Sequence, residues 1–315
     1  MKNPHSSFIT NSPDRCGVAM TDTNRKLAFV FTGLGAQWKG MGAQLVEQEP
    51  LFRRTIQECD RIFSQYADWS LLEELKKKPA QSRIYLSEIG HPCSFAVQLG
   101  LAVLLQDWGI VPDSVVGHSG GEVVTAHVAG ALSLEDSLKI VHNHCVTMSK
   151  VARKGGKMAF VALPLSQVER EIERATKGHS EKISIAAING PKSIVLSGRE
   201  EVDELANALQ KKEVFCRLLK MDLAFHSPQV EPHLPGFRQA LEGVSPIPPR
   251  IRVYSTLRGA EAEKNDFDPD YWIEHIRNPV KFGQAVRAMI HDGHRRMKRA
   301  RFSKHWQRST MSVVQ

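Results

Sequence analysis

A serine becomes a nucleophile when a sharp turn holds its hydroxyl out beside a proton acceptor, and residues 117–121 have the composition for such a turn. Gly117-His118-Ser119-Gly120-Gly121 fits the G-x-S-x-G pattern. It follows a strand-like run, Ser114 to Gly117, and precedes a helix-like stretch from Glu122 to Ala131, the context the pattern requires. The first amides of that helix and the positive end of its dipole would then face an oxyanion formed at the serine. A glycine-rich turn without chemistry could show the same five residues, and the flanking strand and helix are what favour the nucleophile. A serine of this kind needs a base. Among 13 histidines, His226 in Leu223-Ala224-Phe225-His226-Ser227-Pro228 is the best placed, although residue type alone does not single it out.

The elements that must position these residues read as α/β. Lys26 to Thr32 is a short apolar run that ends at Gly33, the pattern of a buried parallel strand. The loop Gly33-Leu34-Gly35 leads into an amphipathic stretch through Gln48. Pro92 to Trp108 and Leu134 to Val151 have helical spacing, and with Ser114 to Gly117 as a second strand the order predicts a mostly parallel sheet covered by helices. Residues 157–220 change rhythm. Strands at Met158 to Leu163, Ile183 to Ile188, Ser193 to Ser197 and Val214 to Leu219 alternate with helices at Ser166 to Ala175 and Glu200 to Lys211. That βαββαβ order is the split pattern of a ferredoxin-like unit. The expected organisation is a leader over 1–25, a large domain over 26–156 and 221–294, a ferredoxin-like subdomain over 157–220, and a basic tail over 295–315.

Composition narrows the function classes. Seven of the eight net positive charges belong to Arg295, Arg296, Lys298, Arg299, Arg301, Lys304 and Arg308, with no acid after Asp292. The rest of the chain is nearly neutral and lacks the basic, aromatic-bearing face that nucleic-acid binding needs. No apolar stretch approaches the roughly 18 residues of a membrane span. The first 25 residues have no secretory core, and Cys16, Cys59, Cys93, Cys145 and Cys216 are scattered and odd in number. A reducing cytoplasm, no disulfide framework, no nucleic acid and no membrane are the expectations. His142, His144 and Cys145 are the best metal-ligand candidates, but no second cluster completes a site, so no metal is expected.

Ordered motifs carry a resemblance to a known family. Phe31-Thr32-Gly33-Leu34-Gly35-Ala36-Gln37-Trp38, the serine block through Glu122, Ala187-Ile188-Asn189-Gly190-Pro191, Ala224-Phe225-His226-Ser227, and Tyr271-Trp272 with Pro279-Val280-Lys281-Phe282 follow one another at family spacing. The chain resembles the malonyl-CoA:acyl-carrier-protein transacylases, specifically the acyltransferase domains of polyketide synthases. The resemblance implies an α/β-hydrolase-like parallel-sheet domain with a ferredoxin-like βαββαβ inserted subdomain. It implies transfer of a small acyl group from coenzyme A to the phosphopantetheine thiol of an acyl carrier protein, in polyketide or fatty acid biosynthesis, with no bound cofactor. Partners would be the carrier and the other domains of a synthase. It further implies Ser119 as nucleophile, His226 as base, the backbone amides of Leu34 and Gly120 as oxyanion donors, and His91, His144, Phe225 and Asn189 at the acyl pocket.

The departures point to what is particular here. Counting 25 residues from Ser119 reaches His144, where malonyl-using members carry an arginine that clamps the free carboxylate. A histidine is mostly neutral at pH 7 and offers no bidentate fork. Phe225, by contrast, is the aromatic that accompanies malonyl in the family. His91 and His275 stand where the family has glutamine and asparagine. After His294 the family's closing apolar strand is absent, which predicts an uncovered sheet edge. Two alternatives stay open: an acyl hydrolase of the same fold, and a weakly active remnant that only docks a carrier protein.

Overall fold

Runs of apolar residues without a polar break set the central layer. In the computed structural model the described residues are 26–152, 155–177, 179, 182–219, 223–294 and the backbone of 296–299. The expected leader and residues 300–315 of the basic tail lie outside them. The larger domain begins with β1 (Leu27–Phe31), followed by α1 (Ala43–Gln48), α2 (Pro50–Phe63), α3 (Leu71–Lys76) and α4 (Ser87–Asp107). Next come β2 (Ser114–Gly117), α5 (Gly121–Val128) and α6 (Leu134–Val151). The smaller sheet and its helices are β3 (Lys157–Val161), α7 (Leu165–Thr176), β4 (Ile183–Gly190), β5 (Ser193–Gly198), α8 (Glu200–Lys211) and β6 (Cys216–Leu218). The chain then returns through a 3-10 turn (Pro228–His233) to α9 (Leu234–Ala240), β7 (Arg252–Ser255), β8 (Ala260–Glu261), α10 (Pro269–Arg277), α11 (Phe282–His291) and β9 (Arg296–Arg299).

The larger sheet has the order β8-β7-β2-β1-β9, parallel throughout except for β8. Alternate residues of β1 serve opposite faces, as the two-residue pleat requires. Phe29 and Phe31 belong to the main core, which also holds the buried faces of α2, α4, α5 and α6, whereas Ala28 and Val30 belong to a second cluster with Val116, Tyr254 and the Val286 and Met289 face of α11. Full burial of an aromatic such as Phe29 stabilises the fold by about 1.5–3 kcal/mol. Both faces being covered explains why the strands are apolar runs and do not alternate.

The smaller sheet has the order β4-β5-β3-β6, all antiparallel, with Val168 and Ile172 of α7 and Val202 and Leu205 of α8 packed on one face. Its β4 also reaches the larger domain: the Ile188 amide donates to the Val280 carbonyl at 2.8 Å and the Val280 amide to the Ala186 carbonyl at 2.9 Å. The chain is thus an α/β fold with a small subdomain.

Two sequence expectations need correction. The sheet edge beside β1 is covered, because Arg296–Arg299, placed by the sequence reading in a tail, pairs in parallel with Leu27 to Val30. Strand pairing is made by backbone groups, and an edge strand tolerates charged side chains, so the absence of apolar residues did not preclude a strand. The second concerns α4. Its 21 residues pass the length and composition of a membrane span, but 78% of the apolar window is buried, which makes it a core helix. It also starts five residues before Pro92. That proline gives up one helical hydrogen bond, and the buried residues from Ile89 to Gly100 hold the helix through it.

Candidate active site

Where β2 ends, the chain turns so sharply that Ser119 adopts a left-handed conformation with φ 51°. L-residues disfavour this region, and packing must hold it. Two glycines allow the approach that does so. A Cβ on Gly121 would lie 2.7 Å from the Phe31 carbonyl oxygen, and one on Gly120 would overlap the His91 ring. The His118 amide donates to the Phe31 carbonyl at 2.9 Å, tying the turn to β1. Helix α5 starts immediately after, with Gly120 at its N-cap and no side chain capping it. The amides of Gly121, Glu122 and Val123 already donate to the carbonyls of His118, Ser119 and Gly120 at 3.0, 2.8 and 3.4 Å, so what the helix itself offers an anion at Ser119 is the positive end of its dipole.

The base arrives from the return segment. His226 has φ 53°, and the Ser227 hydroxyl closes the local turn by donating to the Ala224 carbonyl at 2.8 Å. Its Nε2 lies 2.9 Å from the Ser119 hydroxyl, and its Nδ1 lies 2.9 Å from the Asn278 carbonyl oxygen. A carbonyl can only accept, so Nδ1 carries the proton and Nε2 presents its lone pair to the serine. Burial, with the nearby imidazoles of His275 and His118 adding to it, lowers the His226 pKa to about 3. The ring is therefore neutral at pH 7 and able to take a proton. A backbone carbonyl, and not a carboxylate, orients it.

On the other side of the serine runs the loop after β1. A Cβ on Gly33 would come 3.3 Å from the Ser119 Cβ, so Leu34 follows directly on a residue packed against the nucleophile. Gln98 of α4 holds this exit: its Oε1 accepts from the Thr32 amide at 2.6 Å and its Nε2 donates to the Thr32 carbonyl at 3.1 Å. Gly33 and Gly120 thus come from different elements to the neighbourhood of the Ser119 side chain, and Leu34 is the next residue after Gly33.

Of the expected pocket residues, His91 and His144 meet, with ring centroids 5.1 Å apart. His91 lies over Gly120, with Nε2 3.5 Å from its carbonyl oxygen and Nδ1 3.6 Å from the Cys145 thiol. His144 packs edge-on against Phe237 at 6.4 Å, and its buried Nδ1 has no hydrogen-bond partner among the described residues. Burial lowers the His91 pKa to about 4 and that of His144 well below the usual histidine value. Phe225 is buried in the main core beside His226. Asn189 is not grouped with the two histidines. It sits in β4, and its Oδ1 lies 2.8 Å from His118 Nε2. His142 turns away from His144 to stack on Tyr66 at 5.4 Å, so the metal candidates diverge. Among the described residues no three His, Cys, Asp or Glu side chains group as metal ligands.

Sequence reasoning missed Asn278, because a carbonyl acceptor leaves no trace in residue type. It also passed over Glu122, which is fully buried three residues after Ser119 and accepts hydrogen bonds from the Thr256 amide, the Thr256 hydroxyl and the Tyr271 hydroxyl. An acid on the core-facing side of the helix just past the elbow was the available signal.

Comparison with known proteins places this geometry. Residues 28–297 match the family described as acyl transferase domain. A highly reducing polyketide synthase, tstA, of Talaromyces stipitatus is 37% identical over 276 residues, which cover 86% of this chain and 11% of that protein. A mycocerosic acid synthase-like polyketide synthase of Mycolicibacterium smegmatis is 36% identical, with 88% and 13% covered. The chain therefore spans only a small fraction of the length of these relatives. Among solved structures, a loading acyltransferase from the avermectin modular polyketide synthase superimposes with a TM-score of 0.85 at 30% identity, covering 91% of each chain.

Proposed function

The chain belongs to the acyl transferase domain family of polyketide synthases and related transacylases, and from that premise we propose that it moves a small acyl group from coenzyme A to a carrier protein through an ester on Ser119. The observation that carries the proposal is the 2.9 Å contact between the Ser119 hydroxyl and a His226 whose tautomer is fixed by the Asn278 carbonyl. In the first half-reaction His226 takes the serine proton, Oγ attacks the thioester carbonyl, and the C–S bond breaks. The proton goes to the departing coenzyme A thiolate. In the second, His226 deprotonates the phosphopantetheine thiol of the carrier, the sulfur attacks the acyl-serine, and Ser119 recovers its proton. The oxyanion of each tetrahedral intermediate would be held by the amides of Gly120 and Leu34.

The acyl group is malonyl or a neutral acyl, and the histidine wall favours a neutral one. His91 and His144 are both unprotonated at pH 7, so neither supplies the charge that an acyl carboxylate would need. Partners on this reading are an acyl carrier protein and the other domains of a synthase, in the cytoplasm, with coenzyme A thioesters as substrates and no resident cofactor. Against the alternative of a docking remnant stand the pairing of β9 beside β1 and the alignment of Ser119 on His226. Intact-mass measurement after incubation with a panel of acyl-CoA esters tests the proposal. A single acyl adduct that a Ser119→Ala variant lacks is expected, and an adduct retained by that variant overturns it.

A further inference from the structure

Glu122 has no exposed surface, and a carboxylate taken out of water needs partners for its charge. It finds them on two other elements. The Thr256 amide lies 3.1 Å from each carboxylate oxygen, and the Thr256 hydroxyl also donates to it. From α10, the Tyr271 hydroxyl donates to Oε1, and His275 Nε2 stands 3.5 Å from Oε2. Tyr271 is itself fixed by Ser255, 2.6 Å from its oxygen. Burial alone would raise the Glu122 pKa, but His275, Thr256 and Tyr271 outweigh it and hold the carboxyl below its usual range.

The placement of these partners gives the network a bearing on the reaction. The Glu122 amide donates to the Ser119 carbonyl at 2.8 Å, so the acid stands one turn from the nucleophile. Helix α10 carries Tyr271 and His275 and is capped at its C-terminus by Asn278, whose carbonyl orients His226. The His275 ring also meets the His226 ring edge-on, with centroids 6.1 Å apart. One carboxylate thus joins the helix that begins at the nucleophile to the helix that ends at the support of the base.

We propose that Glu122 is a positioning residue: by clamping α5 to α10 it sets the spacing of Ser119 and His226, and through His275 it fixes the orientation of the His226 ring. It touches no reacting atom. The inference rests on the reading of Ser119 as nucleophile and His226 as base.

The test uses an alkyl fluorophosphonate, which reports serine activation independently of the acyl substrate. The Ser119 oxygen bonds to phosphorus, fluoride leaves, and the serine proton passes to His226. Labelling rates are compared for wild type, Glu122→Gln and Tyr271→Phe, together with the downfield proton resonance of His226 Nδ1–H. A displacement of about 1 Å in a catalytic pair can cost on the order of a hundredfold, so Glu122→Gln is expected to slow labelling roughly 10- to 100-fold and to shift or broaden the resonance. Acylation by acyl-CoA should lose kcat while KM stays within about twofold, the split expected when only transition-state geometry is disturbed. Tyr271→Phe, which removes one of the clamp's donors, should slow labelling several-fold. A folded Glu122→Gln protein that labels at the wild-type rate with an unmoved resonance overturns the proposal. Should that variant not fold, Tyr271→Phe and His275→Asn carry the test, and wild-type rates in both overturn it. Wild type that fails to label at all sinks the reading of Ser119, and this inference with it.

Discussion

On the nucleophile side of the site, packing and hydrogen bonds hold the backbone, whereas among the buried histidines some ring nitrogens have no hydrogen-bond partner among the described residues. Ser119 is fixed by the close approach of Gly120 to His91 and of Gly121 to β1, and by the amide of His118 on Phe31. His144 Nδ1 and His275 Nδ1, by contrast, lack hydrogen-bond partners among the described residues, and His275 Nε2 has only its 3.5 Å contact with Glu122. An unsatisfied buried polar atom costs about 1–3 kcal/mol, so the histidine wall is the less settled half of the site. The difference teaches where each task resides. The turn at Ser119 is held by backbone and packing, and on the proposed function the choice of acyl group would fall to side chains that still have bonding capacity.

That contrast can be broken or sharpened by experiment. Ser119→Ala should abolish acyl-CoA labelling while leaving the melting temperature near that of wild type, measured by intact mass and thermal unfolding. Gly120→Ala comes next. Its methyl must displace the buried His91 ring, and overpacking of this kind costs about 1–3 kcal/mol with a matching fall in melting temperature. Acylation should fall roughly a hundredfold, because the displaced elbow carries the nucleophile. A Gly120→Ala protein with wild-type acylation would show that the elbow is not held as tightly as the packing implies.

On the histidine side, His144→Arg should move selectivity toward malonyl over propionyl by roughly 10- to 100-fold, the worth of one hydrogen bond to a charged group. The ratio of the two acyl-enzyme yields measures it. An unchanged ratio would remove His144 from the choice of substrate.

The smallest effect concerns acid. His91, His144 and His226 have pKa values lowered in the fold, so the unfolded chain binds more protons below about pH 6.5. Stability is therefore fully present above that pH and lost as pH falls toward 4. Each such histidine contributes a slope on the order of 1 kcal/mol per pH unit. Melting temperatures between pH 7 and 5 should drop, and His144→Phe should flatten the slope by about a third of these three residues' share. An identical slope in that variant would mean that His144 is not buried neutral.

Much of the site was legible before the structure. The elbow could be read because a strand, three glycines and a helix each leave a local signature, and Ser119 lies between them. His226 needed more, since 13 histidines compete and only the ordered motifs chose one. Asn189 was placed at the pocket by resemblance, and its bond to His118, the residue before Ser119, joins two residues 71 positions apart and could not be read from the sequence. The strand Arg296–Arg299 was missed because its pairing with β1 uses backbone groups that are the same in every residue.

What the sequence alone determined is what depends on neighbours along the chain: the apolar run of β1, the turn at Ser119, the βαββαβ order of residues 157–220. Periodicity and glycine placement act over a few residues, so they can be read there. What only the tertiary structure decided depends on residues far apart. The Asn278 carbonyl lies 52 positions from His226, and the Tyr271 hydroxyl lies 149 positions from Glu122. Whether His91 and His144 are charged was likewise not in their residue type. It follows from burial, which strips the water that would stabilise a proton on them, and burial is a property of the packed fold.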